Sequence, residues 1–112
     1  MSTVFEIAIV ITGIAMKIDP YVVDVLMRDL TWHDRSPAAF VVYLFLFSRT
    51  IASRKKSLRI SHQRIADETG LSKSAVQAAL RLLSRRKLVR SVRETVTATP
   101  EHFVLRPWAN RA

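Results

Sequence analysis

The stretch ADETGLSKSAV, residues 66 to 76, places a glycine inside a segment that otherwise has helical periodicity. The chain has only 2 glycines in 112 residues, so this one needs a physical reason. The surrounding pattern predicts one helix from about residue 62 to 69 and a second from about 73 to 86. Only Gly70 and Leu71 then join the two helices. A joint this short requires a backbone with positive φ, which glycine adopts without steric cost.

Two further signals support this pair of helices. Ser61 and Ser72 stand immediately before them, where a hydroxyl oxygen can accept a hydrogen bond from a free backbone N–H of the first turn. Apolar residues then recur at spacings of three and four, which predicts a shared buried face. The members of that face are Ile65, Ala66, Leu71, Val76, Ala79, Leu80 and Leu83.

Extended segments flank the helix pair. The sequence predicts strands from Leu88 to about Arg93 and from His102 to about Arg106, joined by a Thr-rich loop that ends at Pro100. A further short strand is expected from Leu58 to Ile60.

Two helices are predicted upstream. Ser36-Pro37 is a helix-start signal for a long helix to about Ser53, whose middle, FVVYLFLF, is apolar on every side. A helix of this kind lies at the centre of a core or of a subunit interface. Asp19-Pro20 starts a shorter amphipathic helix to about Leu30, and TWHDR at 31–35 reads as a loop. The apolar residues of the shorter helix are Val22, Val23, Leu26, Met27 and Leu30.

The first 18 residues alternate between apolar and other side chains. Phe5 to Ile11 predicts a strand with a turn near Thr12-Gly13, after which Met16 and Ile18 resume the alternation. A helix is compatible with the same stretch. No secretory signal is expected here, because the basic region that such signals need is missing.

Residues 36 to 107, about two-thirds of the chain, resemble the winged helix-turn-helix. Gly70 corresponds to its turn glycine. The strands predicted at 88–93 and 102–106 would form the hairpin called the wing, with Leu58 to Ile60 as the third strand of the same sheet. Residues 36 to 107 are similar to bacterial single-domain regulators and to winged-helix units of plasmid replication initiators. The resemblance implies a mainly α fold with a small β-wing (α+β) over residues 36–112. Residues 1–35 would be an N-terminal strand and helix extension that supplies a dimer contact.

The chain departs from this family at Arg86-Lys87. Related domains usually end the second helix with a glycine just before the wing. A non-glycine residue in the left-handed conformation costs about 1 kcal/mol. We therefore expect a different helix end and a different wing orientation here.

Charge is concentrated in the second half of the chain. Residues 54–112 hold 14 of the 18 Lys and Arg and 4 of the 9 Asp and Glu, a net charge of +10, whereas residues 1–53 have a net charge of −1. Such asymmetry is typical of a protein with a polyanionic partner, either nucleic acid or an anionic membrane surface. A merely solvated basic face is the alternative.

The resemblance implies that the second helix enters the major groove of double-stranded DNA. Gln77 can pair bidentately with adenine and Arg81 with guanine, and their i, i+4 spacing places them on one face. Both could equally be solvated helix residues. Ser72 and Ser74 could contact phosphate at the helix N-terminus. The predicted DNA-binding residues are Ser72, Lys73, Ser74, Gln77, Arg81 and Arg85 of this helix, with Arg59, Arg90 and Arg93 beside it.

Other chemistry has little support in the sequence. The chain has no cysteine, and His33, His62 and His102 lack the spacing of metal ligands. His33-Asp34 is expected to be a loop hydrogen bond, and no nucleophile accompanies it. Trp32 and Trp108 are expected to clamp the ends of the domain onto its body. We therefore expect no enzymatic activity, no metal and no cofactor.

The sequence thus predicts a basic, cytoplasmic, homodimeric DNA-binding protein that regulates transcription. One alternative is a winged-helix protein-interaction module in a replication or transcription assembly. An anionic-membrane binder is less favoured, because the basic residues lie on a patterned motif and not opposite large apolar residues on one helix.

Overall fold

The computed structural model describes residues 16–110 as a mixed α/β domain of four helices and a small three-stranded antiparallel sheet. The sheet order is β1-β3-β2. Short 3₁₀ turns follow the second helix and the last strand, at Ile51–Ser53 and Pro107–Asn110. The elements are α1 (20–33), α2 (Pro37–Arg49), β1 (Leu58–Arg59), α3 (His62–Thr69), α4 (Lys73–Arg85), β2 (Val89–Val92) and β3 (Glu101–Val104).

The joint between α3 and α4 has the predicted geometry. Gly70 has φ of 81°, and its N–H donates to the carbonyl of Ala66 at 2.9 Å. Ser61 Oγ accepts from the backbone N–H of Arg64 and Ser72 Oγ from that of Ala75, each at 3.1 Å. The capping hydroxyls and the left-handed glycine thus fix where α3 begins and ends and where α4 begins.

The expected different end of α4 is wrong. Lys87 itself adopts the left-handed conformation, with φ of 58°. Its N–H donates to Ser84 at 3.1 Å, and the N–H of Leu88 donates to Leu83 at 2.9 Å, which together form a Schellman motif. Leu88 is 3% exposed. These two hydrogen bonds and the burial of Leu88 offset the steric cost of a left-handed lysine.

Helix α2 lies at the centre of the core, as its all-round apolar sequence predicts. Ala39, Val42, Tyr43, Leu46 and Phe47 are each at most 1% exposed, and α2 contacts α1, α3, α4 and β3. Among the described residues, no helix is long and apolar enough to cross a membrane.

The predicted extension of α2 to Ser53 is wrong, because the helix ends at Arg49. Thr50 leaves helical geometry at φ −121° and ψ −85°, and its hydroxyl donates to the Leu46 carbonyl at 2.7 Å. Arg54 then adopts φ of 59°, which lets the chain reverse towards β1.

Helix α1 is longer than predicted. The expected loop at 31–35 is wrong up to His33, because Val22–Leu26 and Asp29–His33 are π-helical turns. The N–H of Met27 donates to the Val22 carbonyl and that of Asp34 to the Asp29 carbonyl, in each case the fifth carbonyl back. A π-helical turn contains more residues than the 3.6 of an α-helical turn. The residues that face the core therefore recur at every fourth position, and the apolar face predicted from α-helical spacing does not form. Val22, Leu26 and Leu30 are buried, while Val23 and Met27, predicted on the same apolar face, are 45% and 40% exposed.

The predicted N-terminal strand from Phe5 and the turn near Gly13 lie outside the described residues. Its continuation through Met16 and Ile18 is wrong, because residues 16–19 form no strand. They lead directly into α1, where a carboxylate oxygen of Asp19 accepts from the N–H of Tyr21 at 3.0 Å.

The three predicted strands form one sheet, with each strand slightly shorter than expected. Leu58 of β1 and Ser91 of β2 both lie opposite His102 of the central strand β3. Tyr43 of α2 donates to the Leu105 carbonyl just after β3 at 2.9 Å. The sheet is therefore held against the central helix.

Replacing Gly70 tests the left-handed joint. Gly70→Ala should lower the free energy of unfolding by about 1 kcal/mol through backbone strain, since an added Cβ would meet no atom within 4 Å. Lys87→Gly should raise the free energy of unfolding, because it removes the strain of a left-handed lysine. The gain should stay below about 1 kcal/mol, because glycine also increases the conformational entropy of the unfolded chain. Urea unfolding measures both, and a gain in Gly70→Ala or a loss in Lys87→Gly would contradict this account of the two joints.

Candidate nucleic-acid interface

The outward face of α4 is polar and basic because the opposite face is fully used by the core. Val76, Ala79, Leu80 and Leu83 are at most 7% exposed. Helical spacing then turns the remaining side chains towards solvent. Lys73, Ser74, Arg81 and Arg85 are exposed and Gln77 is half-buried.

A groove of about 450 Å³ separates this face from the β2–β3 hairpin. Arg81 and Ser84 line it from α4, Ser91 and Arg93 from the hairpin, and His62 from α3. No carboxylate of residues 16–110 lines the groove. The Arg93 guanidinium donates to the Val96 carbonyl at 3.0 Å, which fixes its place in the hairpin. The structure thus brings together Gln77, Arg81 and Arg93 of the predicted DNA-binding residues.

Free cations extend along α4 beyond the groove. Within residues 16–110, Lys73, Arg81, Arg85 and Arg93 form no ion pair with a carboxylate. Lys73 and Arg85 lie 12 residues apart, about 18 Å along a helix at 1.5 Å per residue. This surface is therefore a strip of unneutralised positive charge long enough to follow several phosphates.

The two serines at the start of α4 already have partners. Ser72 Oγ accepts from the Ala75 N–H and lies 3.2 Å from Ser74 Oγ. Both side chains are exposed. Ser72 thus caps α4, and its hydroxyl contacts that of Ser74.

Gln77 is held by a residue that the sequence did not single out for binding. Its Nε2 lies 3.3 Å from Nδ1 of His62, the first residue of α3. Burial lowers the pKa of His62, and the positive charges of Arg93 and Lys73 lower it further. A neutral His62 is therefore the form present near pH 7.

His102 connects all three strands beneath the groove. It is fully buried, with Nε2 3.1 Å from the Ile60 carbonyl after β1 and Nδ1 2.7 Å from Ser91 Oγ of β2. Nε2–H donates to Ile60, so Nδ1 accepts from the serine hydroxyl. Burial lowers the pKa of His102. The rings of His62 and His102 are 6.2 Å apart, and the pairing of β1 with β3 places Leu58, four residues before His62, opposite His102.

Arg59 and Arg90 lie on a different surface from the other predicted residues. Residues opposite each other in an antiparallel pair share a face, and Ser91 with His102 defines the face towards the helices. Arg90 opposes Phe103 and Arg59 opposes Glu101, which places both arginines on the outer face of the sheet. Arg90 stacks 4.2 Å over the Phe103 ring, and Arg59 pairs with Glu101 at 3.2 Å.

A second depression, of about 620 Å³, lies between α2, α3 and β1 and differs in charge. Arg49, Arg59 and Arg64 line it together with Glu68. Each of these arginines has a carboxylate within 4 Å: Glu68 for Arg49 and Arg64, and Glu101 for Arg59. Its cations are therefore largely neutralised, unlike those beside α4.

Three residues discussed in the sequence analysis, His33, Trp32 and Trp108, lie away from the groove. His33 Nδ1 lies 2.8 Å from Asp34, as expected for a local hydrogen bond, although at a helix end and not in a loop. Trp108 stacks on Tyr21 at 4.3 Å and donates to Asp19 at 3.0 Å, as expected for a clamp. The same expectation for Trp32 is wrong, because it is 70% exposed. In the described part of the chain, no three His, Cys, Asp or Glu residues form a metal-binding group.

No protein-family model matches this chain, and no curated protein and no solved structure matches it either. Its function is therefore inferred from the geometry and charges of the described residues.

Stability should fall as the pH is lowered through the range just below 6.5. The unfolded pKa of histidine is about 6.5, and burial lowers the folded pKa of both His62 and His102. Between the folded and unfolded values the unfolded state binds more protons, so the free energy of unfolding rises with pH there. Urea unfolding from pH 7.5 to 5 measures this slope.

His102→Gln and His62→Gln should each reduce that slope. Glutamine retains a donor for the Ile60 carbonyl in the first variant, and His33→Gln, at an exposed site, is the matched control. A slope equal to that of the wild type in both variants would assign the pH dependence to other groups.

Proposed function

We propose that this chain is a DNA-binding protein with a winged helix-turn-helix fold, and that it regulates transcription. In this proposal α4 lies in the major groove and the β2–β3 hairpin is the wing, adjacent to the DNA backbone. The order of elements, with a short strand before the paired helices, a hairpin after them and sheet order β1-β3-β2, supports it. The proposed role is DNA binding without catalysis, and the proposed location of the protein is the cytoplasm.

The observation that carries the proposal is the distribution of paired and unpaired cations. Arginines that hold the fold together have carboxylate partners, as Arg86 has in Asp29 and Asp34. The cations along α4 and in the adjacent groove have none within residues 16–110. Unneutralised charge on one face of an exposed helix costs stability through repulsion, and a polyanion relieves it.

Roles within the proposed complex follow from position. Arg81 is exposed midway along α4, where a guanidinium can reach O6 and N7 of guanine. Lys73, Arg85 and Arg93 lie at the two ends of the helix and in the hairpin, which suits phosphate contacts. Arg59 and Arg90, on the outer face of the sheet, would meet only the backbone beside the wing.

Selection of random DNA duplexes by the purified protein tests the proposal. At about 150 mM salt, loose phosphate binding is suppressed. Enrichment of one motif is expected, and an inverted repeat with half-sites one helical turn apart would indicate a dimer. Retention without enrichment would mean nonspecific DNA binding, and no retention would contradict the DNA-binding proposal.

Arg81→Ala should weaken binding to the selected site and relax the preference at one base pair. Loss of a bidentate guanine contact costs about 1–3 kcal/mol, roughly five- to 150-fold in affinity. Arg49→Ala is the matched control, since it removes the same charge from the neutralised depression and should change affinity by less than about twofold. Fluorescence anisotropy with labelled duplex measures both. Equal losses in the two variants would show that α4 does not read the bases.

The alternative is an interaction module that docks a replication or transcription protein. The exposed apolar side chains of Val23, Met27 and Trp32 favour a protein contact on α1. They lie on a different element from the basic face, so a protein contact there is compatible with DNA binding by α4.

A further inference from the structure

The outward face of α1 carries exposed apolar side chains in an ordered array. Val23 is 45% exposed, Met27 40% and Trp32 70%. The buried residues of α1 recur every fourth position, so the exposed ones do too. Val23 and Met27 therefore form one row, and Asp24, Arg28 and Trp32 form the row beside it.

This array also carries two free charges of opposite sign. Asp24 and Arg28 are exposed and lie one turn apart, and neither forms an ion pair within residues 16–110. A second α1 crossing antiparallel about a point near residue 26 would place each Asp24 against Arg28 of the partner subunit. The face is thus complementary to itself, as a two-fold interface requires.

Net charge favours a second copy at this face. Residues 16–35 hold 3 basic and 4 acidic side chains, whereas residues 54–112 have a net charge of +10. Two α1 surfaces therefore do not repel each other, while two basic faces would. Apolar side chains at the centre of a contact, an exposed tryptophan and methionine among its residues, and charges at its margin are the composition of protein interfaces.

We propose that this protein is a homodimer in which α1 of one copy packs antiparallel on α1 of the other. Val23 and Met27 form the apolar centre, two Asp24–Arg28 pairs flank it, and Trp32 covers the first turn of the partner's α1. The dimer forms without DNA, so the proposal stands independently of the function proposed above.

Sedimentation equilibrium of the full chain at micromolar concentration measures the assembly. The wild type should be a dimer, and Met27→Glu should be a monomer, because the substitution places a charge at the apolar centre. Val96→Glu is the matched control at an 88% exposed site in the hairpin loop and should remain dimeric. A monomeric wild type, or a dimeric Met27→Glu, would overturn the proposal.

Charge reversal separates a second copy from the other occupant of this face, the apolar residues 4–14 of the same chain. Asp24→Arg and Arg28→Asp each place like charges opposite each other twice per dimer, and each should raise the dissociation constant at least about tenfold. An equimolar mixture of the two variants should restore wild-type affinity, since every mixed dimer again pairs opposite charges. Failure of the mixture to restore the dimer would rule out the antiparallel pairing.

Discussion

Burial of α2 is the constraint on which the rest of the structure depends. Its apolar side chains point in all directions, so α1, α3, α4 and β3 must all pack around it. Each fully buried Val, Leu or Phe contributes about 1.5–3 kcal/mol. Tyr43, a fully buried side chain of α2, donates to the Leu105 carbonyl, and burial raises the pKa of its hydroxyl far above the usual value. Because α4 buries its apolar stripe against α2, the basic side chains on the opposite face of α4 lie in solvent.

A second constraint divides the arginines into two kinds. Arg86, one residue beyond α4, contacts Asp29 in the last part of α1 at 2.9 Å and also Asp34 just after α1. These carboxylates hold the guanidinium charged and raise its pKa, although burial opposes them more strongly than any single contact. Arg106 pairs with Asp19 at 3.6 Å in the same way. Acidic side chains of the first third of the chain thus bind structural arginines, whereas Arg81, Arg85 and Arg93 have no carboxylate partner among residues 16–110.

Local signals in the sequence were sufficient for α3, α4 and their joint. The hydroxyl caps at Ser61 and Ser72 and the left-handed glycine act within four residues, so residues close in the sequence are enough to determine the two helices and their joint. The groove face of α4 could be predicted for the same reason. Lys87 was missed because its left-handed conformation depends on burial of Leu88, which is a tertiary effect. The π-helical turns of α1 and the outer position of Arg90 were missed because they follow from packing and strand register, which no short window contains.

In the proposed complex, His62 would determine how the Gln77 amide is oriented towards a base. An amide nitrogen has two hydrogens. When His62 is neutral with Nδ1 unprotonated, Gln77 donates one hydrogen to it at 3.3 Å. The other hydrogen and the amide oxygen remain available for N7 and N6 of adenine. The amide orientation is then fixed before DNA arrives, which reduces the side-chain entropy lost on binding. A protonated His62 would turn the amide oxygen inwards and present two donors to the base, so pairing of Gln77 with adenine in the proposed complex would require the neutral ring, which burial and the nearby cations favour.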